Sequence, residues 1–133
     1  MNMDTSPGMS RRAVALIVED HDAVRRALCE RIQTSFRQYS LREAGSVDEA
    51  LKIVEAEKVD LVLMDFRLPG MDGVDGTRAV LARSPQTAVV MVSGFDDFSH
   101  RSAATKAGVR AFISKRAIGR ELIPAIASLV NAA

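Results

Sequence analysis

The sequence predicts an α/β domain on a parallel sheet. Five short, mainly apolar runs alternate with five stretches of helical periodicity. Strands buried on both faces and joined by crossover helices read this way. The length, 133 residues, is that of one domain. A chain of this size buries roughly two thirds of the surface its unfolded form exposes.

Taken in order, residues 1–11 read as a flexible leader and residues 12–133 as the domain. Strands are expected at Ala13 to Val18, Ser40 to Ala44, Asp60 to Met64, Thr87 to Val92 and Ala111 to Ser114; the second is the least apolar and suits a sheet edge. In the first helix Val24, Leu28 and Ile32 share a face. In the second, Val47, Ala50, Leu51 and Val54 follow the amphipathic template after a Ser46/Glu49 capping box. The third, about Val74 to Arg83, stops before Ser84-Pro85, where the pre-proline position disfavours helix. The fourth, about Asp96 to Ala107, offers only Ala103, Ala104 and Ala107 for burial before Gly108, and is expected to be the most mobile. The fifth, about Gly119 to Asn131, buries Leu122, Ile123, Ile126 and Val130; Pro124 must lie near its first turn or bend it.

Composition narrows the function. A net charge of +1 gives no general attraction to phosphate backbones or anionic membranes, so neither nucleic acid nor a membrane is an expected partner. Cys29 is the only cysteine, which excludes an internal disulfide and a thiolate metal site and suits a reducing cytoplasm. The first dozen residues lack the apolar stretch of a signal peptide. No run approaches the roughly 18 apolar residues of a membrane span.

The polar residues that close the strands carry the chemistry. Glu19 and Asp20 end the first apolar run, Asp65 the third, Ser93 the fourth and Lys115 the fifth. In open α/β sheets ligands sit beyond the carboxyl ends of the strands, where these side chains would meet. Like charges roughly 4 Å apart repel by about 4 kcal/mol at an effective dielectric near 20, so three clustered carboxylates call for a cation. Magnesium takes hard oxygen ligands, one or two of them carboxylates, beside phosphate oxygens. A carboxylate can also attack phosphorus, and phosphoryl transfer is helped chiefly by positioning and charge neutralisation. Asp65 is then the candidate nucleophile, with Ser93 donating a hydrogen bond to one phosphoryl oxygen and Lys115 pairing with another. Asp22 or Asp72 is expected to cap the helix it precedes. His21 reads as a surface residue at a helix start, and Arg25, Arg26, Glu30 and Arg31 as a solvated helix face. The PGMDG stretch, Pro69 to Gly73, is a turn at the rim of the crevice.

These residues closely resemble the receiver domain of bacterial two-component response regulators. The acid pair Glu19-Asp20, the DxxLPxMDG stretch from Asp65 to Gly73, Ser93-Gly94, and Lys115 three residues after Phe112 stand in the family's order and spacing. The resemblance implies a doubly wound, flavodoxin-like three-layer sandwich with strand order 2-1-3-4-5. It further implies that Asp65 accepts a phosphoryl group from a sensor histidine kinase or histidine phosphotransfer protein. Mg2+, with Mn2+ as an alternative, would be held by Glu19, Asp20, Asp65 and the backbone carbonyl of Arg67. Ser93 and Phe112 would form the switch pair that reshapes the surface of the fourth helix, fifth strand and fifth helix. Partly exposed Ile118, Ala125 and Leu129 there would meet a downstream protein, a tethered output domain or a second copy of the chain. The expected role is that of a phosphoacceptor, with catalysis limited to self-phosphorylation from small acyl phosphates and autodephosphorylation.

Two positions depart from the common family pattern. Arg116 stands where many receivers have proline, so the loop after Lys115 is expected to be looser. Glu19 replaces the more frequent Asp. Arg67 and Phe95, two residues beyond the acceptor and the hydroxyl, occupy the positions where the family tunes water access, and are expected to prolong the phosphoryl lifetime. Other readings are the receiver half of a longer DNA-binding regulator and, from the enzyme class, a haloacid-dehalogenase-like phosphatase. The latter needs an acid where Arg67 stands. A flavodoxin-like cofactor binder would need a phosphate loop in place of the acidic EDHD.

Overall fold

The structure, a computed structural model, describes residues 12–95 and 97–131. The expected leader, and Asp96 at the expected start of the fourth helix, lie outside the described residues. Five parallel strands, β1 (Ala13–Val18), β2 (Tyr39–Ala44), β3 (Leu61–Asp65), β4 (Ala88–Ser93) and β5 (Ala111–Ser114), pair in the order β2-β1-β3-β4-β5. Five helices follow them: α1 (Asp22–Ser35), α2 (Val47–Ala56), α3 (Gly73–Arg83), α4 (Phe98–Ala107) and α5 (Ile118–Asn131). The architecture is the doubly wound α/β sandwich expected.

Strand alternation divides the core into two layers. Leu16, Val18, Val62, Met64, Val89 and Met91 face α2, α3 and α4. Ala15, Ile17, Leu61, Leu63, Val90 and Val92 face α1 and α5, where Leu28, Ile32, Leu122 and Ile126 are buried. The register pairs Val18 with Met64, Asp65 with Val92, and Ser93 with Ser114, so the carboxyl ends of the central strands finish level.

Several boundaries differ from the sequence reading, each for a local reason. β3 begins after Asp60, whose amide donates to the Val14 carbonyl and whose Oδ2 accepts from the Val14 amide. β3 and β4 run one residue further, through Asp65 and Ser93. Val24 is 42% exposed, because a spacing of four drifts about 40° per step around a helix and carries Val24 about 80° from Ile32. Leu28, Cys29 and Ile32 form the buried stripe instead. In α5, Leu122 and Ile126 are fully buried, whereas Ile123 and Val130 are half-buried. Pro124 sits in the helix interior, not the first turn, on the exposed side.

The α2 start is capped as its sequence suggests: Ser46 Oγ accepts from the Glu49 amide, while the Glu49 carboxylate reaches back to the Gly45 amide. α4 ends at Gly108, whose φ of 111° is the left-handed conformation that glycine adopts without strain.

Candidate functional site

The site lies at the carboxyl ends of β1, β3 and β5. Its centre is an ammonium between two buried carboxylates: Lys115 Nζ is 3.2 Å from Asp65 Oδ1 and 3.7 Å from Glu19 Oε1. Glu19 and Asp65 are only 1% and 4% exposed. One lysine cannot balance both acids together with the neighbouring half-exposed Asp20, so the pocket keeps negative charge that a divalent cation would neutralise.

The two carboxyls titrate in opposite directions. Burial, then the charge of Glu19, pushes Asp65 up to about 6, against the pull of Lys115. Burial also opposes ionisation of Glu19, but hydrogen bonds from the His21 ring and amide, and then the charge of Lys115, outweigh it and hold Glu19 below its ordinary value. Asp65 therefore stays mainly a carboxylate at neutral pH, the form that can act as a nucleophile.

Backbone contacts fix this edge. The Glu19 amide donates to the Ala44 carbonyl and the Phe66 amide to the Val92 carbonyl, which extends the ladders one residue past the apolar runs. Asp72 caps α3, accepting from the Asp75 amide at 2.9 Å. Asp22 does not cap; it lies in the first turn of α1 and pairs with Arg25 at 2.8 Å. Gly73 packs against the backbone of Asp65: its amide donates to the Phe66 carbonyl at 2.8 Å, and a Cβ there would stand 2.2 Å from the Asp65 carbonyl oxygen.

Ser93 is fully buried at the end of β4, and its Oγ accepts from the Phe95 amide at 2.9 Å. Its own proton has no acceptor among the described residues, an open donor at the edge where phosphoryl oxygens would arrive. By alternation Ser93 shares a sheet face with Met91, against which Phe112 also packs. Phe112 is half-buried under the guanidinium of Arg101 on α4, 4.7 Å from its ring centre. The loop after Lys115 is not loose: Lys115–Ala117 form a 3-10 turn running into α5, with Ser114 Oγ accepting from the Arg116 amide.

Three groups escape the sequence reading. His21 Nδ1 lies 3.0 Å from Glu19 Oε2 and 3.4 Å from Asp20 Oδ1, which puts its ring on the acid pair. Adjacency in sequence was the available signal. Arg25 is not a solvated charge: it donates to the Glu19 carbonyl and to the carboxylates of Glu43 and Asp22. Finally, Arg67, Phe95, His100 and Phe66 form a stack along the rim. The Arg67 guanidinium lies 4.6 Å from the Phe95 ring centre, Phe95 stacks on His100 at 5.3 Å, and Phe66 meets His100 edge-on at 4.9 Å. His100 belongs to α4, whose first turn is thus held by rings and by the Asp97 cap, compensating for its thin apolar face.

The response regulator receiver domain profile matches residues 15–127. The chain belongs to that family. This receiver is 36% identical over 111 residues to the transcriptional activator protein ExaE of Pseudomonas putida, covering 84% of the receiver chain and 52% of ExaE. The chain spans about half the length of the curated relatives it matches. Among solved structures it is similar to a CheY-like receiver domain protein from Methanospirillum hungatei JF-1, at TM-score 0.83 and 25% identity, over 92% of this chain and 96% of that one. It shares its fold with a response regulator from Burkholderia pseudomallei carrying a phosphorylated aspartic acid, calcium ion and citrate, at TM-score 0.77 and 24% identity, over 90% and 71% of the two chains. Receivers as a family bind Mg2+ in an acidic pocket, and an acidic group with that character is present in Glu19, Asp20 and His21. Among the described residues no helix is long and apolar enough to cross a membrane.

Proposed function

We propose that Asp65 is the phosphoacceptor of this receiver. The observation that carries the reading is the Lys115 ammonium bridging Asp65 and Glu19, both buried, at the carboxyl edge of the sheet. A carboxylate oxygen of Asp65 attacks phosphorus; a P–O bond forms as the donor's P–N bond breaks, and the departing imidazole takes up a proton. Lys115 then turns from the carboxylate to a phosphoryl oxygen, and the Ser93 proton, which has no acceptor among the described residues, reaches another. Glu19, Asp20, Asp65 and the Arg67 carbonyl are the groups to hold Mg2+ or Mn2+. The ion, when bound, supplies charge neutralisation to the transferred oxygens.

The consequence travels through Ser93 and Phe112. A doubly charged group beside Ser93 draws the hydroxyl away from the Phe95 amide and opens the space toward which the Phe112 ring can turn. That motion disturbs the Arg101 contact and with it the part of α4 beyond its held first turn, which buries only Ala104 and Ala107 and can shift at low cost. Half-buried Ile118, Ala125 and Leu129 on α5 supply apolar contact for a partner on this face. Upstream, a histidine kinase or phosphotransfer protein donates the phosphoryl group. Arg67 and Phe95, stacked over the rim, shield the acyl phosphate from water. In a second reading the receiver, residues 12–133, controls a tethered DNA-binding output; ExaE, a transcriptional activator of which the match covers only 52%, favours it.

Incubation with acetyl phosphate and Mg2+ should add one hydroxylamine-sensitive phosphoryl group to the wild-type chain and none to Asp65→Asn. Beryllofluoride should move the amide resonances of Ser93, Phe112 and α4. Modification of Asp65→Asn as fully as the wild type would refute the assignment.

A further inference from the structure

His21 occupies the N-cap position of α1, with φ −86° and ψ 112°, yet its side chain makes no cap hydrogen bond. Serine, aspartate and asparagine usually fill that position because they bond the first helical amides. The imidazole turns back instead to the acid pair, and its ring remains 72% exposed above the buried Glu19 carboxylate.

We propose that His21 is a nitrogen ligand for the divalent ion of this site and shifts its preference from magnesium toward first-row transition cations. The inference rests on the metal-dependent reading above. Adjacent donors around an octahedral ion with bonds of about 2.1 Å are about 3.0 Å apart, √2 times the bond length. His21 Nδ1 stands 3.0 Å from Glu19 Oε2, a hydrogen bond whose proton an incoming cation would displace, and 3.4 Å from Asp20 Oδ1, so the three donors already have the spacing of neighbours on one coordination sphere. Nitrogen and both oxygens lie within 4.8 Å of one another.

The charges around the three donors favour the same assignment. Lys115 engages Glu19 through the other oxygen, Oε1, so no ammonium competes on the Oε2 side. The exposed ring and half-exposed Asp20 leave that side open to an incoming ion. Oxygen ligands alone suit magnesium, whereas imidazole suits iron, nickel, copper and zinc, and raises affinity along the transition series.

The test uses the intact chain with Mn2+, Ni2+ and Mg2+ as probes. Pulsed electron paramagnetic resonance of the Mn2+ complex should show nitrogen coupling from a directly bound imidazole. The coupling should vanish in His21→Ala and His21→Gln and persist in His100→Ala, which removes the other of the two histidines in the chain. Calorimetry should show Ni2+ affinity falling at least about tenfold in both His21 variants, the scale on which even groups behind the ligands act, with Mg2+ affinity changing less than about twofold. His21→Gln keeps an amide donor for Glu19, so unfolding in the alanine variant would not mask the result. Mn2+ binding without nitrogen coupling, or an unchanged ion ranking in the variants, would overturn the role of His21 and leave the metal site standing. Failure of the wild type to bind any of the three ions would overturn both.

Discussion

Replacing Asp65 by asparagine should stabilise the metal-free protein above neutral pH. The folded carboxyl titrates near 6 and the ordinary value is 3.8, with burial and then the charge of Glu19 as the causes. A raised acid pKa means that the folded state binds the proton more tightly than the unfolded chain. The carboxyl costs the fold nothing below about pH 4, and its cost grows as pH rises through 6, where ionised Asp65 faces ionised Glu19. The displacement is about two pH units, and at about 1.4 kcal/mol each the ceiling is about 3 kcal/mol. Asparagine removes this cost, in which the pull of Lys115 is already counted; with water relaxation around the site taking up about half of the ceiling, a net gain of about 1–2 kcal/mol is expected at pH 8. Thermal and urea unfolding of wild type and Asp65→Asn in chelator, from pH 4 to pH 8, checks it. The two proteins should match near pH 4 and diverge as pH rises, with the melting temperature of the variant higher by about 3–8 °C at pH 8. A variant less stable at pH 8, or a difference constant across the range, would refute the electrostatic reasoning.

The rim and the turn lend themselves to mutation as well. Arg67→Ala with Phe95→Ala should shorten the lifetime of the acyl phosphate about two- to fivefold, the rate equivalent of a cation–π contact of about 0.5–1 kcal/mol; phosphoryl decay followed by intact mass reads it, and an unchanged or longer lifetime removes the shielding role. Gly73→Ala should cost about 2–3 kcal/mol and impair phosphorylation, because its Cβ would fall 2.2 Å from the Asp65 carbonyl oxygen; chemical denaturation measures the loss, and a neutral effect would contradict the close approach. The Cys29 thiol, pushed by burial up to about 11, should react with iodoacetamide at pH 8 at least about a hundredfold more slowly in the native protein than in urea. Comparable rates would show that α1 opens readily from the sheet.

How much of this was legible in the sequence depended on whether a residue's role is local. Strand interiors such as Leu16, Val62 and Met91 are apolar because both faces of the sheet are covered, and a run of them needs no tertiary information to be recognised. The Ser46–Glu49 cap is equally local. Asp65, Ser93 and Lys115 were recognisable because each closes a strand, and parallel strands finish at a common edge. Val24 was misplaced because helical spacing gives the stripe but not the roll of the helix against the sheet. His21 stood beside the acids in sequence, yet its ring direction depends on α1 starting at Asp22, which leaves His21 in extended backbone. The stack of Arg67, Phe95, His100 and Phe66 joins the β3–α3 turn, the β4–α4 loop and α4. No periodicity announces such a contact.

The most direct measurement is to locate the phosphoryl group. After reaction with acetyl phosphate and Mg2+, borohydride reduction converts an aspartyl phosphate to homoserine, and tandem mass spectrometry reads the position. Homoserine at position 65 alone, and unmodified protein when magnesium is withheld, is the predicted result. Homoserine at Asp20 or any other acid, or equal labelling in the presence of a chelator, would contradict it.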